Sequence, residues 1–210
     1  TPLTSISGDA EMLLESEDVL DHDLRRHMYR DIRDDARWLI ALVENLLSIT
    51  RIDNGTMRMS FQPELVGDIV HEALQHADRR IEDRQVDVEL EDELLMIDAD
   101  ARLIVQVVVN LVNNAVSYTP AGRIRVTARR EGSLREFVRI AVADEGPGVS
   151  EEDKSHLFDM FYNGSTGEGG GKSGDFKRGM GLGLSLCRSI VEVHGGRIGV
   201  RDALPQGSEF

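Results

Sequence analysis

A chain of 210 residues with 40% hydrophobic and 30% charged side chains has apolar surface enough for one or two folded domains. Its formal net charge of −14 excludes a nucleic-acid binder that meets its target through a basic face. One cysteine, Cys187, excludes an intrachain disulfide, and no apolar run reaches the roughly 20 residues of a membrane span. No signal peptide is legible either, and Cys187 is expected to be a small buried thiol in a reducing compartment.

Thr1 to about Glu15 has helical spacing, with Leu3, Ile6, Ala10, Leu13 and Leu14 on a shared side. Pro2 fits either the first turn of this helix or a kink in a longer one. An acidic turn around Asp21-His22-Asp23 leads into a long helix from about Asp21 to Ile52. On it Ile32, Ala36, Leu39, Val43 and Leu46 form a coiled-coil-like seam, and Trp38, Leu42 and Ile49 a second apolar line. One short partner helix cannot cover both. Two copies of a hairpin packed as a four-helix bundle bury both, which predicts a homodimer; the alternative is that the second line packs on the following domain.

Asn54-Gly55 is a turn signal that divides a hairpin domain, 1–53, from a second domain, 54–210. Beyond it, helical patterns at Leu65 to Ile81 and Gly183 to His194 alternate with strand patterns. The strands are expected at Val86 to Leu90, Ile124 and Val126, Val138 to Val142, and Ile198 and Val200. The predicted fold class is α+β: a helical hairpin of a dimeric four-helix bundle, then an α/β sandwich with a mixed sheet covered on one face by helices. The glycine-rich segment Asn163 to Arg178 is either disorder or a functional lid.

The helix from about Leu103 to Tyr118 carries an apolar stripe of Val107, Val108, Leu111, Val112 and Ala115, with Asp98 or Asp100 as cap. Asn110 and Asn114 stand one turn apart on one face. A buried amide without a partner costs roughly 1–3 kcal/mol. Either these amides bond backbone carbonyls in the core, or they hold a polar ligand such as hydrated Mg²⁺ with phosphates. Farther on, Asp144-Glu-Gly146-Pro-Gly148 puts a carboxylate in a tight turn after a strand, where it can accept from an exocyclic amine. Phe158 and Phe161 are an aromatic pair, for core filling or for anchoring the lid. Gly179-Met-Gly181-Leu182-Gly183-Leu184 opens the last helix, and glycines there let backbone N–H groups approach phosphates.

The order of these parts resembles the sensor histidine kinases of two-component signalling over essentially the whole chain. The correspondence runs through that family's N box (Asn110 to Tyr118), G1 box (Asp144 to Gly148), F box (Phe158, Phe161) and G2 box (Gly179 to Leu184). The segments Asp34 to Ile52, Phe158 to Gly164 and Leu184 to Gly196 are further similar to the Kdp-type potassium-responsive kinases. The resemblance implies a Bergerat-type (GHKL) fold binding ATP and Mg²⁺ under a lid anchored by Phe158 and Phe161. It implies Asn114 as metal ligand, Asn110 and Tyr118 lining the pocket, Asp144 with Gly146 and Gly148 at adenine, and Gly179, Gly181, Leu182, Gly183 and Leu184 cradling phosphates. Asn110 stands where ATP-hydrolysing relatives have a glutamate; an amide is no base, so ATP is expected to be kept for transfer.

Partners implied are a response-regulator receiver domain and a second copy of the chain, with no nucleic acid. Membrane attachment is expected only through upstream segments, making this the cytoplasmic portion of a bacterial sensor. Thr1-Pro2-Leu3-Thr4 matches the end of the acceptor box, so the acceptor histidine is expected four residues before Thr1. Thr1 matches the residue that positions water for dephosphorylation. His22, His27, His71, His76, His156 and His194 match no acceptor box and are expected in solvated or capping roles. Ser117 departs from relatives that carry a phosphate-reaching Lys or Arg, and Lys172, Lys177 or Arg178 are the expected substitutes. The alternative function is a nucleotide-binding scaffold or response-regulator phosphatase; DNA machines sharing the ATP fold are disfavoured by the acidic charge and the hairpin.

Overall fold

The computed structural model describes residues 1–15, 20–81, 84–119, 121–132, 137–162 and 181–210. The chain forms two compact units, Thr1–Thr50 and Arg51–Phe210.

In the first unit, α1 (Pro2–Glu15) starts as its sequence dictates. Thr1 Oγ1 accepts the Thr4 N–H at 3.3 Å, and Pro2 takes the first helical position, where no N–H is needed. Helix α2 (His22–Asp53) runs to the Asn54-Gly55 turn, where Gly55 at φ +63° donates to the Ile52 carbonyl. No residue of α1 is fully buried, and α2 buries only Met28 and Ile49. Of the expected seams, Ile49 is buried whereas Val43 is exposed, as are Ile40 and Leu47 beside it.

The second unit holds a five-stranded mixed sheet in the order β2-β4-β5-β7-β6 and a two-stranded sheet of β1 and β3. The strands are β1 (Gln62–Leu65), β2 (Val86–Leu90), β3 (Met96–Ala99), β4 (Ile124–Glu131), β5 (Phe137–Asp144), β6 (Arg201–Asp202) and β7 (Ser208–Glu209). Strands β2 and β4 are parallel and the other pairs antiparallel. Helices α3 (Val66–His76), α4 (Ala101–Tyr118) and α6 (Gly183–Val193) supply the core, with a short α5 (Glu151–Lys154) after β5. Ile69, Val70, Val108, Val112, Leu186 and Ile190 are buried together with Ile124, Val126, Ala128 and Val142 of the sheet. Along β4, Arg125 and Arg129 alternate with those buried residues, and Arg125 pairs with Glu89 at 3.5 Å. The register sets Ile124 opposite Asp144, so the end of β5 leaves the sheet beside the start of β4.

Two expectations are corrected. The helix expected to run to Ile81 stops at His76, followed by a 3₁₀ turn at Arg79–Ile81. There Asn113 Oδ1 takes the Asp78 N–H at 2.7 Å, and Asp78 Oδ1 takes the Arg80 N–H at 3.0 Å, a side-chain turn that replaces helical bonding. Ile198 and Val200 form no strand. On the side away from β5, strand β7 pairs with Arg201 and Asp202 of β6, so the ladder does not extend back to these two residues.

Candidate functional site

Helix α4 is fixed at its start by groups distant in sequence. Asp100 occupies the N-cap position, but its carboxylate accepts the Ser60 N–H at 3.0 Å and meets Arg102 at 3.4 Å. Burial alone would raise the Asp100 pKa; the Ser60 amide and the Arg102 guanidinium outweigh it and hold the carboxyl below its ordinary value. The Asp100 N–H donates to His194 Nε2 at 3.1 Å, and His194 Nδ1 lies 2.7 Å from the Ile190 carbonyl. These two bonds assign the proton to Nδ1. His194 thus has the capping role expected of it and ties the end of α6 to the start of α4.

Asn110, Asn113, Asn114 and Ser117 fall within roughly 100° of the circumference of α4. Asn110 Nδ2 donates to the Gly183 carbonyl at 3.4 Å, joining α4 to the first turn of α6. Beneath it, burial pushes the Cys187 thiol up to about 12, with the Asn110 amide acting in the opposite direction. Asn113 holds the Asp78 amide as described. Asn114 is half-buried, and its side chain makes no hydrogen bond among the described residues. The two alternatives left open for the asparagines therefore divide: Asn110 bonds a backbone carbonyl and Asn114 does not. Ser117 Oγ lies 3.3 Å from Arg80 Nη2, and Tyr118 is exposed.

At the end of β5 the Asp144 carboxylate is 6% exposed. Its Oδ1 accepts the Thr119 hydroxyl at 3.0 Å and the Gly146 N–H at 2.8 Å. No hydrogen bond to Oδ2 is made by the described residues. Thr119 is fully buried, and its carbonyl accepts from Arg84. A Cβ on Gly146 would stand 2.6 Å from Asp144 Oδ1 and 2.7 Å from Thr119 Oγ1, so only glycine leaves this carboxylate seated. Gly148 has φ +81°. Gln206 Nε2 donates to the Gly146 carbonyl at 3.2 Å, and Gly207, at φ +115°, lies where any Cβ would run into the Asp144 carbonyl oxygen.

Phe158 packs edge-on against Phe210 at 6.5 Å between ring centroids. Phe161 is exposed at φ 63°, and its N–H donates to the Gly181 carbonyl at 2.9 Å. Gly181 has φ +61°, and a Cβ there would stand 2.6 Å from the Phe161 carbonyl carbon. The Tyr162 hydroxyl donates to Asp153 Oδ1 at 2.5 Å, which pushes the phenol up to about 12. Leu182 is fully buried at the N-cap of α6 without a side-chain cap, and Leu184 is half-buried. Arg178, Gly179, Lys172 and Lys177 lie outside the described residues. Thr1 belongs to the first unit, where it caps α1.

Residues 99–210 match the family described as histidine kinase-, DNA gyrase B-, and HSP90-like ATPase. The chain belongs to that family. Residues 1–55 match the His Kinase A (phospho-acceptor) domain, and this pair of domains is that of the sensor histidine kinases. Among curated relatives, the sensor protein KdpD of Clostridium acetobutylicum is 36% identical over 211 residues, covering 99% of this chain and 22% of that protein. The chain spans 26% and 34% of two further relatives, DivL and KinB. Histidine kinase AdeS of Acinetobacter baumannii has the same fold, with a TM-score of 0.73, 23% identity and coverage of 100% and 92% of the two chains. Histidine kinase ThkA, solved in complex with response regulator protein TrrA, gives a TM-score of 0.70 at 25% identity over 100% of this chain and 56% of that one. ATP is the nucleotide of the family, and the GHKL-type sandwich is the fold expected above. Thr119, Arg80, Arg84 and Gly207 are the residues at this site that the sequence motifs do not mark.

Proposed function

We propose that this chain is the kinase core of a two-component sensor, passing the γ-phosphoryl of ATP to a hairpin histidine and then to a response-regulator aspartate. The match of residues 1–55 to the His Kinase A (phospho-acceptor) domain supports the hairpin as the acceptor. The observation that carries the reading is Asp144: a buried carboxylate held through one oxygen, with the other unclaimed by the described residues. A ring amine is the donor that such an oxygen suits, and adenine offers one.

Asn114 is the Mg²⁺ ligand in this reading, its unpartnered amide oxygen being the hard donor that this cation prefers. Bound Mg²⁺ neutralises charge on the phosphates. The first turn of α6, which has no side-chain cap, faces the phosphates with its N–H groups, and Gly181 and Gly183 keep side chains away from it. Asn110 cannot abstract a proton from water, and its tie to Gly183 holds α4 and α6 at a fixed distance. Catalysis then rests on positioning. In this reading Tyr118, Gly148 and Leu184 line the same pocket, Phe158 and Phe161 anchor the lid, and Thr1 positions water for dephosphorylating the response-regulator aspartate.

The division of labour is a phospho-acceptor and dimerisation hairpin over 1–53 and an ATP-binding domain over 54–210. Exposed Leu3, Met12 and Leu14 on α1 and Ile40, Val43 and Leu47 on α2 support a homodimer that covers them. A receiver domain is the partner, by analogy with the ThkA complex. Among the described residues no helix is long and apolar enough to cross a membrane; in this reading the chain is the cytoplasmic portion of a membrane-anchored bacterial sensor. The test is calorimetry with MgATP. Asn114→Ala is expected to weaken Mg²⁺-dependent ATP binding at least tenfold with the fold intact by circular dichroism, and unchanged binding overturns the assignment. On a chain that carries an acceptor histidine in this hairpin, labelled ATP should leave an acid-labile, alkali-stable phosphoryl group on the protein. Binding without label would mark a scaffold.

A further inference from the structure

The polar stripe of α4 (Asn110, Asn113, Asn114, Ser117) holds amides and a hydroxyl and no charge. A nucleotide triphosphate carries about four negative charges, and the chain it meets has a net charge of −14. The C-terminal turn of α4 adds its own partial negative charge from the last carbonyls. A polyphosphate lying along this stripe therefore needs a cation near the C-terminal end of the helix. Ser117 cannot supply one.

The structure brings one there from outside the helix. Arg80, in the 3₁₀ turn after α3, places Nη2 at 3.3 Å from Ser117 Oγ and 3.0 Å from Asp78 Oδ2. Asp78 is itself locked to α4 by Asn113, which takes its N–H at 2.7 Å, and Asp78 Oδ1 takes the backbone N–H of Arg80 at 3.0 Å. Four bonds thus set the guanidinium against the helix before any ligand arrives. Half of the Arg80 side chain remains exposed, and both bonds use Nη2; Nη1 and Nε make no hydrogen bond among the described residues. That is a preorganised fork for a phosphate.

We propose that Arg80 is a phosphate-binding residue of this nucleotide site, supplying from the 3₁₀ turn the positive charge that α4 lacks at Ser117. Asn113 is then a positioning residue, acting through Asp78. The inference rests on the reading of the site as an ATP pocket. It assigns the cation to a segment some thirty residues before the first of the motifs, and it makes Asp78 an orienting counter-ion.

The test compares nucleotides that differ only in phosphate number, by calorimetry on the full chain with Mg²⁺ held constant. Arg80→Gln is expected to weaken ATP binding at least fivefold, ADP less, and adenosine by under twofold. Arg80→Lys should recover part of the loss, and Ser117→Arg in the Arg80→Gln background should recover most of it by putting the charge back on α4. Thermal melting of each variant reports on folding. If Arg80→Gln changes ATP affinity by less than twofold, or weakens ATP and adenosine equally, the assignment is overturned while the pocket reading stands. If the unaltered chain binds no ATP, the pocket reading itself fails.

Discussion

The Thr119 hydroxyl donates to Asp144 Oδ1 across 3.0 Å, with the hydroxyl's residue wholly buried and the carboxylate nearly so. The bond leaves Asp144 one oriented oxygen for a ligand, and among the described residues the Thr119 hydroxyl has no other hydrogen-bond partner. Thr119→Val keeps the volume and removes the donor. Losing a hydrogen bond to a buried carboxylate costs roughly 1–3 kcal/mol, so a drop in stability of that size and a several-fold weaker ATP affinity are expected from urea melts and calorimetry. Asp144→Asn should weaken ATP binding at least tenfold while GTP binding, weak already, stays where it is. Equal losses for both nucleotides would count against adenine recognition.

Gly207 is held at φ +115° with no room for a Cβ against the Asp144 carbonyl. Gly207→Ala has to move either β7 or the turn that carries Asp144. A destabilisation of about 2–4 kcal/mol is expected, with ATP affinity falling in parallel. A thermal midpoint unchanged within a degree would show that the approach is looser than the structure has it.

Acid should release the start of α4. The Asp100 carboxyl titrates below its unfolded value, so its contribution to stability is complete above the unfolded pKa of about 3.9 and is lost as pH falls through the folded pKa. Asp100→Asn is expected to cost on the order of 1–2 kcal/mol at pH 7 and to flatten the stability profile below pH 4. The measurement is urea denaturation from pH 7 down to 3 for both proteins. Parallel profiles would remove Asp100 from the account.

The Cys187 thiol, pushed up to about 12 by burial, should be inert in the folded chain. An aromatic disulfide reagent at pH 8 is expected to release no thiolate from native protein and one equivalent in denaturant. Labelling within minutes under native conditions would mean that the α4–α6 contact opens far more readily than its packing allows.

The long helices and α4 were legible in the sequence because their apolar residues repeat with the helical period over many turns. The ATP motifs were legible as a set because each glycine lies beside a carboxylate or a helix start. What stayed hidden depends on distant chain. Gln62-Pro63-Glu64-Leu65 has no alternation that marks a strand, and β7 is two residues long. Thr119 becomes a site residue only because the β4–β5 register returns Asp144 to the end of α4. Arg80 was concealed by the helical pattern running through it to Ile81, which Asn113 interrupts from more than thirty residues away. The case of Gly146 is intermediate: its motif was visible, while the reason for glycine, two oxygens within 2.7 Å of a would-be Cβ, exists only in three dimensions.

The bond from the Phe161 N–H to the Gly181 carbonyl fastens the two ends of the glycine-rich segment to each other. A loop whose ends are already joined adds closure entropy only slowly with length, about 0.6 kcal/mol for each doubling. Variants with residues inserted, removed or exchanged at positions 163–180 are therefore expected to keep Leu182 and the first turn of α6 in place, which their thermal melting would read. Phe161 and Gly181 are the fixed posts on either side of those positions.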